Sequence, residues 1–288
     1  MKEYLISIVI PVFNRAHTIR RAVESCIKQS YKNLEIIVVD DASSDNISEV
    51  MSSINDERIK FLQHDRNKGE AASRNTGLRN SNGDYITFLD SDDEWMPNKI
   101  ERQLEVFNEV KQEIGLIFTN GYSEAEGREF IAGSAPSGIY YDSRRDNFYP
   151  LRKLITPSSS WMLTIKIARD IGYFDEAMRT WDDGDYLTRI AYKYPLYFLN
   201  ENLVIWHWHV RESHLNVISD DLVNGKELFL NKNLDYLKRD KEYLFRFYRA
   251  LGKDMLRLNK RKARHYLLNA FKLNPWDFSN LSKILKTL

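Results

Sequence analysis

The chain has one cysteine, Cys26, in 288 residues. An internal disulfide is therefore excluded, which suits a reducing compartment. Long apolar runs are missing as well: no stretch approaches the roughly 20 residues that a bilayer-spanning helix needs. The apolar run from Tyr4 to Phe13 contains Pro11 and lacks a small-residue cleavage site, so it does not read as a secretory leader. Neither sign of charge dominates. Forty-two Lys and Arg face 41 Asp and Glu, a net of +1, which argues against nucleic acid as a partner of the whole chain. Glycine-rich phosphate loops are absent too. The chain contains no GxGxxG and no GxxxxGK followed by Ser or Thr, so the dinucleotide-binding and P-loop readings fall. The expectation is a soluble, cytoplasmic protein.

Material for a core is ample, with 43% hydrophobic and 12% aromatic residues. The first 120 residues alternate in type. LISIVIPVF, LEIIVVDD, RIKFLQH, DYITFLD and GLIFTN read as strands, rich in β-branched and aromatic residues. Between them, Thr18 to Gln29, Gly69 to Arg79 and Trp95 to Val110 carry helical spacing, with Pro97 in the first turn of the last. Ser44 or Asp45 reads as a cap for a further helix after the second strand. Such alternation predicts an α/β fold, a mainly parallel sheet flanked by helices. Residues 121 to 160 lose periodicity and read as irregular. Ile165 to Ile171 and Asp183 to Lys193 read as helices, and YFLNENLVIW as a strand.

From about Asp221 the pattern becomes purely helical. Residues 238 to 264 hold eleven Lys or Arg against three acids, a local net of +8. The predicted division is a catalytic domain at 1–220 and a basic helical segment at 221–288. Aromatic and basic residues alternate through that segment. Three readings stand for it: a solvated face packed on the rest of the protein, which is favoured; peripheral contact with an anionic membrane surface; and nucleic-acid binding, disfavoured because no recognised module accompanies the charge.

In open α/β sheets ligands bind beyond the carboxyl ends of the strands, and three motifs sit there: IPVFNR, VVDDASSD and FLDSDDEW. Asp90-Ser91-Asp92 places two carboxylates one residue apart, suited to a ribose and a hard divalent cation that also carries a diphosphate. Asp93 and Glu94 read as caps of the helix beginning near Trp95. Asp40 and Asp41 can accept the imide N–H of a uracil ring, or serve as ordinary turn residues. Arg74, in NKGEAASRNTGL, can face a base or an aspartate. Trp181-Asp182-Asp183-Gly184-Asp185 opens a helix and offers either caps or a general base. His207 and His209 share one face of a strand. With no third clear ligand beside them, one histidine touching a diphosphate or its metal reads better than a zinc site.

In order and spacing, SIVIPVFNR, VVDDASSD, NKGEAASRNTGL, YITFLDSDDEW and WDDGDYLTRI resemble glycosyltransferase family 2, over about residues 4 to 215. The resemblance implies the GT-A nucleotide-diphospho-sugar transferase fold with a C-terminal helical extension. It further implies an inverting, metal-dependent transferase moving a sugar from a nucleoside diphosphate, preferentially UDP, to a hydroxyl of a glycan or lipid-linked glycan. Carried over residue by residue, Pro11 and Phe13 border the base and Asp40 holds it, with Asp41 beside it. Arg74 lies near the base. Asp90 and Ser91 reach the ribose region, Asp92 the Mn²⁺ or Mg²⁺, and His209 the metal or diphosphate. Asp183 is the general base, supported by Trp181, Asp182 and His207. The pair Asp182-Asp183 departs from the family's usual Glu-Asp in its first position. Aromatics of 121–161, Trp161 among them, help shape the acceptor side. Two rivals stand beside this reading: a sugar nucleotidyltransferase, disfavoured because IPVFNRAHT has no glycine, and a non-catalytic nucleotide-sugar-binding subunit.

Overall fold

The computed structural model describes residues 3–125, 128–131, 136–142, 147–148, 157–207 and 219–277. The chain divides into two compact units. The first comprises Met1–Ala177 and Arg189–Arg211, the second Met178–Thr188 and Glu212–Leu288.

The first unit begins with the expected alternation: β1 (Ile6–Val12), α1 (Ala16–Ile27), β2 (Leu34–Asp40), α2 (Ile47–Ser52), β3 (Ile59–Gln63), α3 (Glu70–Arg79) and β4 (Tyr85–Phe88). β5 (Glu94–Trp95), α4 (Lys99–Glu109), β6 (Leu116–Ala125), β7 (Arg128–Ile131), β8 (Gly138–Asp142) and β9 (Asn147–Phe148) follow. β10 (Met162–Thr164), α5 (Ile165–Ile171) and β11 (Leu196–His207) complete it. α6 (Asp182–Lys193) starts in the second unit and ends in the first. α7 (Asp220–Leu237), α8 (Lys241–Met255) and α9 (Lys260–Leu273) belong to the second.

The strands of the first unit form one sheet in the order β3-β2-β1-β4-β10-β6-β11-β8-β9, with β5 added to β11 and β7 to β6. β3, β2, β1 and β4 are parallel. The side chains of β1, β2 and β4 are buried on both faces, which is why the sequence shows continuous apolar runs there rather than alternation. Ile8, Ile10, Ile36 and Val38 pack with Ile19, Val23 and Cys26 of α1. The chain reverses its direction of growth between β1 and β4, a topological switch point where α/β proteins open a crevice. Proline is normally excluded from central strands. Pro11 is tolerated because β1 outruns β4: their pairing stops at Val9 and Phe88, two residues before the proline.

Four expectations need correction. The helix read from Trp95 starts at Lys99. Glu94 and Trp95 instead pair with Ile205 and Val204, and the buried Trp95 indole donates to the Ser159 carbonyl at 2.7 Å. Pro97 therefore precedes the helix, and Asp93 and Glu94 do not cap it. Asp45 does not cap α2 either: its carboxylate accepts from the Ala16 N–H at 2.8 Å, at the start of α1. Part of 121–160 is strand, with β7, β8 and β9 in antiparallel pairs. Trp161 is fully buried, a core residue rather than an acceptor platform. Among the described residues no helix is long and apolar enough to cross a membrane.

α3 lies close on β1 because Gly77 carries no side chain. A Cβ there would stand 2.2 Å from Val9 Cγ1. Gly77→Ala is expected to destabilise the protein by about 1–3 kcal/mol through overpacking; chemical denaturation of the variant measures it.

Candidate active site

The switch point gathers three strand ends. Asp41 N donates to Val12 O, His64 N to Asp40 O, and Leu89 N to Val9 O. The residues after β1, β2 and β4 are therefore brought to one edge of the sheet. The loops after β1 and β2 are also tied reciprocally. Asn14 N donates to Ser43 Oγ and Ser44 N to Asn14 Oδ1, both at 2.8 Å. Asn14 and Ala42 both adopt left-handed backbone, φ 52° and 61°. Such conformations cost energy and persist where surrounding contacts over-determine them. Pro11 is buried and Phe13, 45% exposed, projects an aromatic face.

Asp40 and Asp41 are both buried but differ in task. Asp41 accepts from Lys68 N at 2.8 Å, Gly69 N at 2.7 Å and His64 Nδ1 at 2.7 Å. It fastens the 65–69 loop and the start of α3. Asp40 Oδ1 accepts from Ser43 N at 3.1 Å and from the Ser43 hydroxyl, and Oδ2 from Gln63 Nε2 at 3.1 Å. A carboxylate has about four acceptor positions, so Asp40, like Asp41, retains about one.

Beyond β4, acids crowd at positions 90, 92, 93 and 94. Arg74, buried in α3, donates to Asp90 Oδ1 at 3.0 Å, to Glu70 and to Ser158 Oγ at 3.2 Å. Arg74 thus faces an aspartate, one of the two partners expected for it. Ser158 Oγ stands 3.1 Å from Asp90 Oδ1, while Ser159 Oγ donates to Asp93 Oδ2 at 2.6 Å and accepts from Asp90 N at 3.1 Å. Burial, and then the neighbouring Asp90 charge, raise the Asp93 pKa well above the carboxylate range. Ser91 is buried. Asp92 is partly exposed, with an Arg15 guanidinium nitrogen 3.8 Å away, and Arg21 donates to its backbone carbonyl. His207 Nε2 contacts Glu94 Oε1 at 2.9 Å and its N–H reaches Asp93 Oδ1 at 3.4 Å, so it closes the β5–β11 pairing. His209 lies outside the described residues.

Underneath runs a buried layer. Gln103 Nε2 donates to Ser160 O at 3.0 Å, and Lys99 Nζ donates to Gln103 Oε1 at 2.9 Å. Burial pushes the Lys99 pKa well below the lysine range, and its nitrogen lies 4.0 Å from the Trp95 ring centroid. Sequence reasoning missed Ser158, Ser159, Arg15 and Arg21. The run Ser158-Ser159-Ser160 before Trp161 was the available signal, a polar cluster at the edge of an apolar strand.

A divalent cation fits this donor set. Hard carboxylate oxygens crowd here, and the Asp93 carboxyl feels the excess negative charge of Asp90 and Asp92. Among the described residues no group of three His, Cys, Asp or Glu could hold a metal alone. That suits the Mg²⁺-type arrangement in which one or two carboxylates share the ion with substrate phosphates.

Trp181, Asp182, Asp183 and Asp185 belong to the second unit. There the start of α6 is fastened to α7 and α8. Thr180 Oγ1 donates to Asp221 O at 3.1 Å, and a Cβ on Gly225 would stand 2.1 Å from Thr180 Oγ1. Trp181, at φ 66°, is held by Phe229 and Phe247, ring centroids 5.3 and 5.4 Å away. Asp185, 1% exposed, accepts from Lys232 Nζ and Asn233 Nδ2, both at 3.1 Å, where α7 kinks at Asn233. Asp182 is buried. Asp183 is half-buried and its Oδ1 accepts from Gly184 N at 2.7 Å. Three acids in the first turn also suit the helix dipole.

Residues 7–172 match the model of the family described as glycosyl transferase family 2. The chain is 40% identical over 149 residues to the Escherichia coli UDP-Glc:alpha-D-GlcNAc-diphosphoundecaprenol beta-1,3-glucosyltransferase WfgD, covering 51% of this chain and 57% of WfgD. The match thus spans little more than half of that relative. The structure of S. aureus TarS 1-349 in complex with UDP-GlcNAc superposes with a TM-score of 0.69 at 17% identity, over 98% of this chain and 79% of that one. The mannosyltransferase PcManGT from Pyrobaculum calidifontis, in complex with GDP-Man and Mn2+, gives 0.64 at 14% identity, over 100% and 86%. At such identities the two structures speak to the fold.

Ser159→Ala removes the donor to a buried carboxyl and is expected to cost roughly 1–3 kcal/mol, read by urea denaturation. Lys232→Met leaves Asp185 with less compensation and should cost a similar, roughly 1–3 kcal/mol. Thermal melts that leave either variant at wild-type stability would contradict these assignments.

Proposed function

The chain belongs to glycosyl transferase family 2 and has its GT-A fold, and from that premise we propose that it transfers a sugar from a UDP-sugar to a hydroxyl of a glycan or lipid-linked glycan, with inversion. The observation that carries this reading is the convergence of Pro11, Phe13, Asp40, Asp90 and Asp92 at the β1–β4 switch point. Support for the substrates comes from relatives. WfgD is named for a UDP-Glc donor and a diphosphoundecaprenol-linked acceptor, and TarS was captured with UDP-GlcNAc.

In this reading Phe13 and Pro11 border the uracil and the remaining acceptor position of Asp40 takes its imide N–H. Asp90, fixed by Arg74 and Ser158, takes a ribose hydroxyl, with Ser91 beside it. Asp41 holds the loop that frames the base. Asp92, with the donor's own phosphates, is the holder of Mn²⁺ or Mg²⁺, and His209 is the second candidate ligand. When bound, the cation supplies Lewis-acid neutralisation of charge on the departing diphosphate.

Asp183 is the general base. Its carboxylate removes the proton from the acceptor hydroxyl as that oxygen attacks the anomeric carbon, and UDP leaves from the opposite face. The bond formed and the bond broken lie on opposite sides of one carbon, so the configuration inverts in a single displacement. Trp181 and Asp182 set the backbone from which Asp183 projects, and no enzyme nucleophile is required.

Thermal unfolding with UDP, GDP, dTDP or CMP, each with and without Mn²⁺, tests the donor site. A ligand at about 100 times its Kd stabilises the folded state by about 2.7 kcal/mol. UDP is expected to stabilise most, and more with Mn²⁺. An equal or stronger response to another nucleotide would sink the uridine assignment. Asp183→Asn is expected to lower transfer by about 10²–10⁴-fold while the UDP response stays intact. Near wild-type transfer by this variant would remove Asp183 as the base.

A further inference from the structure

The second unit carries a surface that sugar transfer does not use. α9, KRKARHYLLNAFKL, holds five Lys or Arg and no acid. Its inner face is settled: Ala263, Tyr266, Leu267 and Ala270 are buried, Tyr266 stacks on Tyr248 of α8 at 6.2 Å, and Leu267 lies against Gly252. Its outer face is Arg261, Arg264, Leu268 and Lys272, all exposed and spaced three, four and four residues apart, which places them in one line along the helix.

Neighbouring cations have carboxylate partners. Lys262 pairs with Glu227 at 2.8 Å, Arg249 with Asp277 at 3.0 Å and Lys226 with Asp254 at 2.7 Å. Among the described residues, Lys260, Arg261, Arg264 and Lys272 make no ion pair. Glu227, Asp254 and Asp277 are thus engaged elsewhere while one helix face keeps its charge. Leu268 lies on that face, and two further exposed apolar side chains stand at the C-terminal end of the helix. Leu268 is 39% exposed, Leu273 36%, and Trp276, just past the helix, 81%.

We propose that the outer face of α9, with Leu273 and Trp276, docks on the surface of an anionic lipid bilayer. Each part of the face has a task there. Lysines and arginines near an anionic membrane gain attraction from the surface potential. Tryptophan, apolar with one polar N–H, partitions into the headgroup region, and leucines add buried apolar area. The occupant is a bilayer rather than a nucleic acid because leucines give a phosphate backbone nothing to bind. The unit docks without inserting a span, consistent with its helices being too polar to cross. This inference stands independently of the sugar-transfer reading, since binding to lipid is read without turnover.

The test is co-sedimentation of the full chain with vesicles of phosphatidylcholine, alone or with one-third phosphatidylglycerol. The chain should bind the mixed vesicles, ignore the neutral ones and be largely released by high salt. At roughly five-fold per cation, the triple variant R261E/R264E/K272E should lose at least about a hundred-fold in partitioning. W276A should lose several-fold. Circular dichroism of both variants should match wild type, because the altered side chains are exposed. The proposal is overturned if the wild type fails to bind anionic vesicles or if the triple variant binds as well as wild type. It is equally overturned if an RNA or DNA homopolymer displaces the vesicles from this face, which would make it a polyanion site.

Discussion

Negative charge at the end of β4 is the constraint around which the first unit is arranged. Four acids in five positions would repel one another, and one of them, Asp93, is buried. The corner is held by donors drawn from distant parts of the chain: Arg74 from α3, Ser158 and Ser159 from the turn before β10, and the His207 N–H from β11. β10 sits antiparallel between β4 and β6, with Met162 opposite Thr87. That insertion is what carries the serines under Asp90 and Asp93. Sheet order and site electrostatics are therefore one problem with one solution. Asp92 is less enclosed than the buried Asp93.

A second dependence runs through the C-terminal helices. In the sequence they look like an appendage, and the family match stops at residue 172. In the structure the segment Met178–Thr188 belongs to the same unit as those helices. Thr180 rests on Gly225, Trp181 between Phe229 and Phe247, and Asp185 on Lys232 and Asn233. A tryptophan in left-handed backbone costs about 1–3 kcal/mol, and it persists here because its ring is packed on both partners. The conformation from which Asp183 projects is thus a property of helices outside the matched region.

The alternation of β-branched runs with helical spacing made the parallel half-sheet legible, because strands buried on both faces must be apolar throughout. IPVFNR, VVDDASSD and DSDD were legible as strand-end residues for a related reason, since polar residues ending an apolar strand fall at the carboxyl edge of the sheet. Trp95 misled because helical spacing after Pro97 resembles a helix start. Its actual place depends on pairing with Val204, more than a hundred residues away. Asp45 misled similarly, reaching across to cap α1 rather than serving its own helix.

By itself the sequence determined the strands and helices of the parallel half-sheet, which carboxylates stand at strand ends, and that the C-terminal segment is basic and helical. Local periodicity and composition suffice for these. Only the tertiary structure decided that Asp41 fastens a loop, that Arg74 braces Asp90, and that two serines underlie the acidic corner. It also decided which cations of α9 stay without carboxylate partners among the described residues. Each of these depends on hydrogen bonds and ion pairs between residues far apart in sequence, whose meeting is set by sheet order and helix packing rather than by any local pattern.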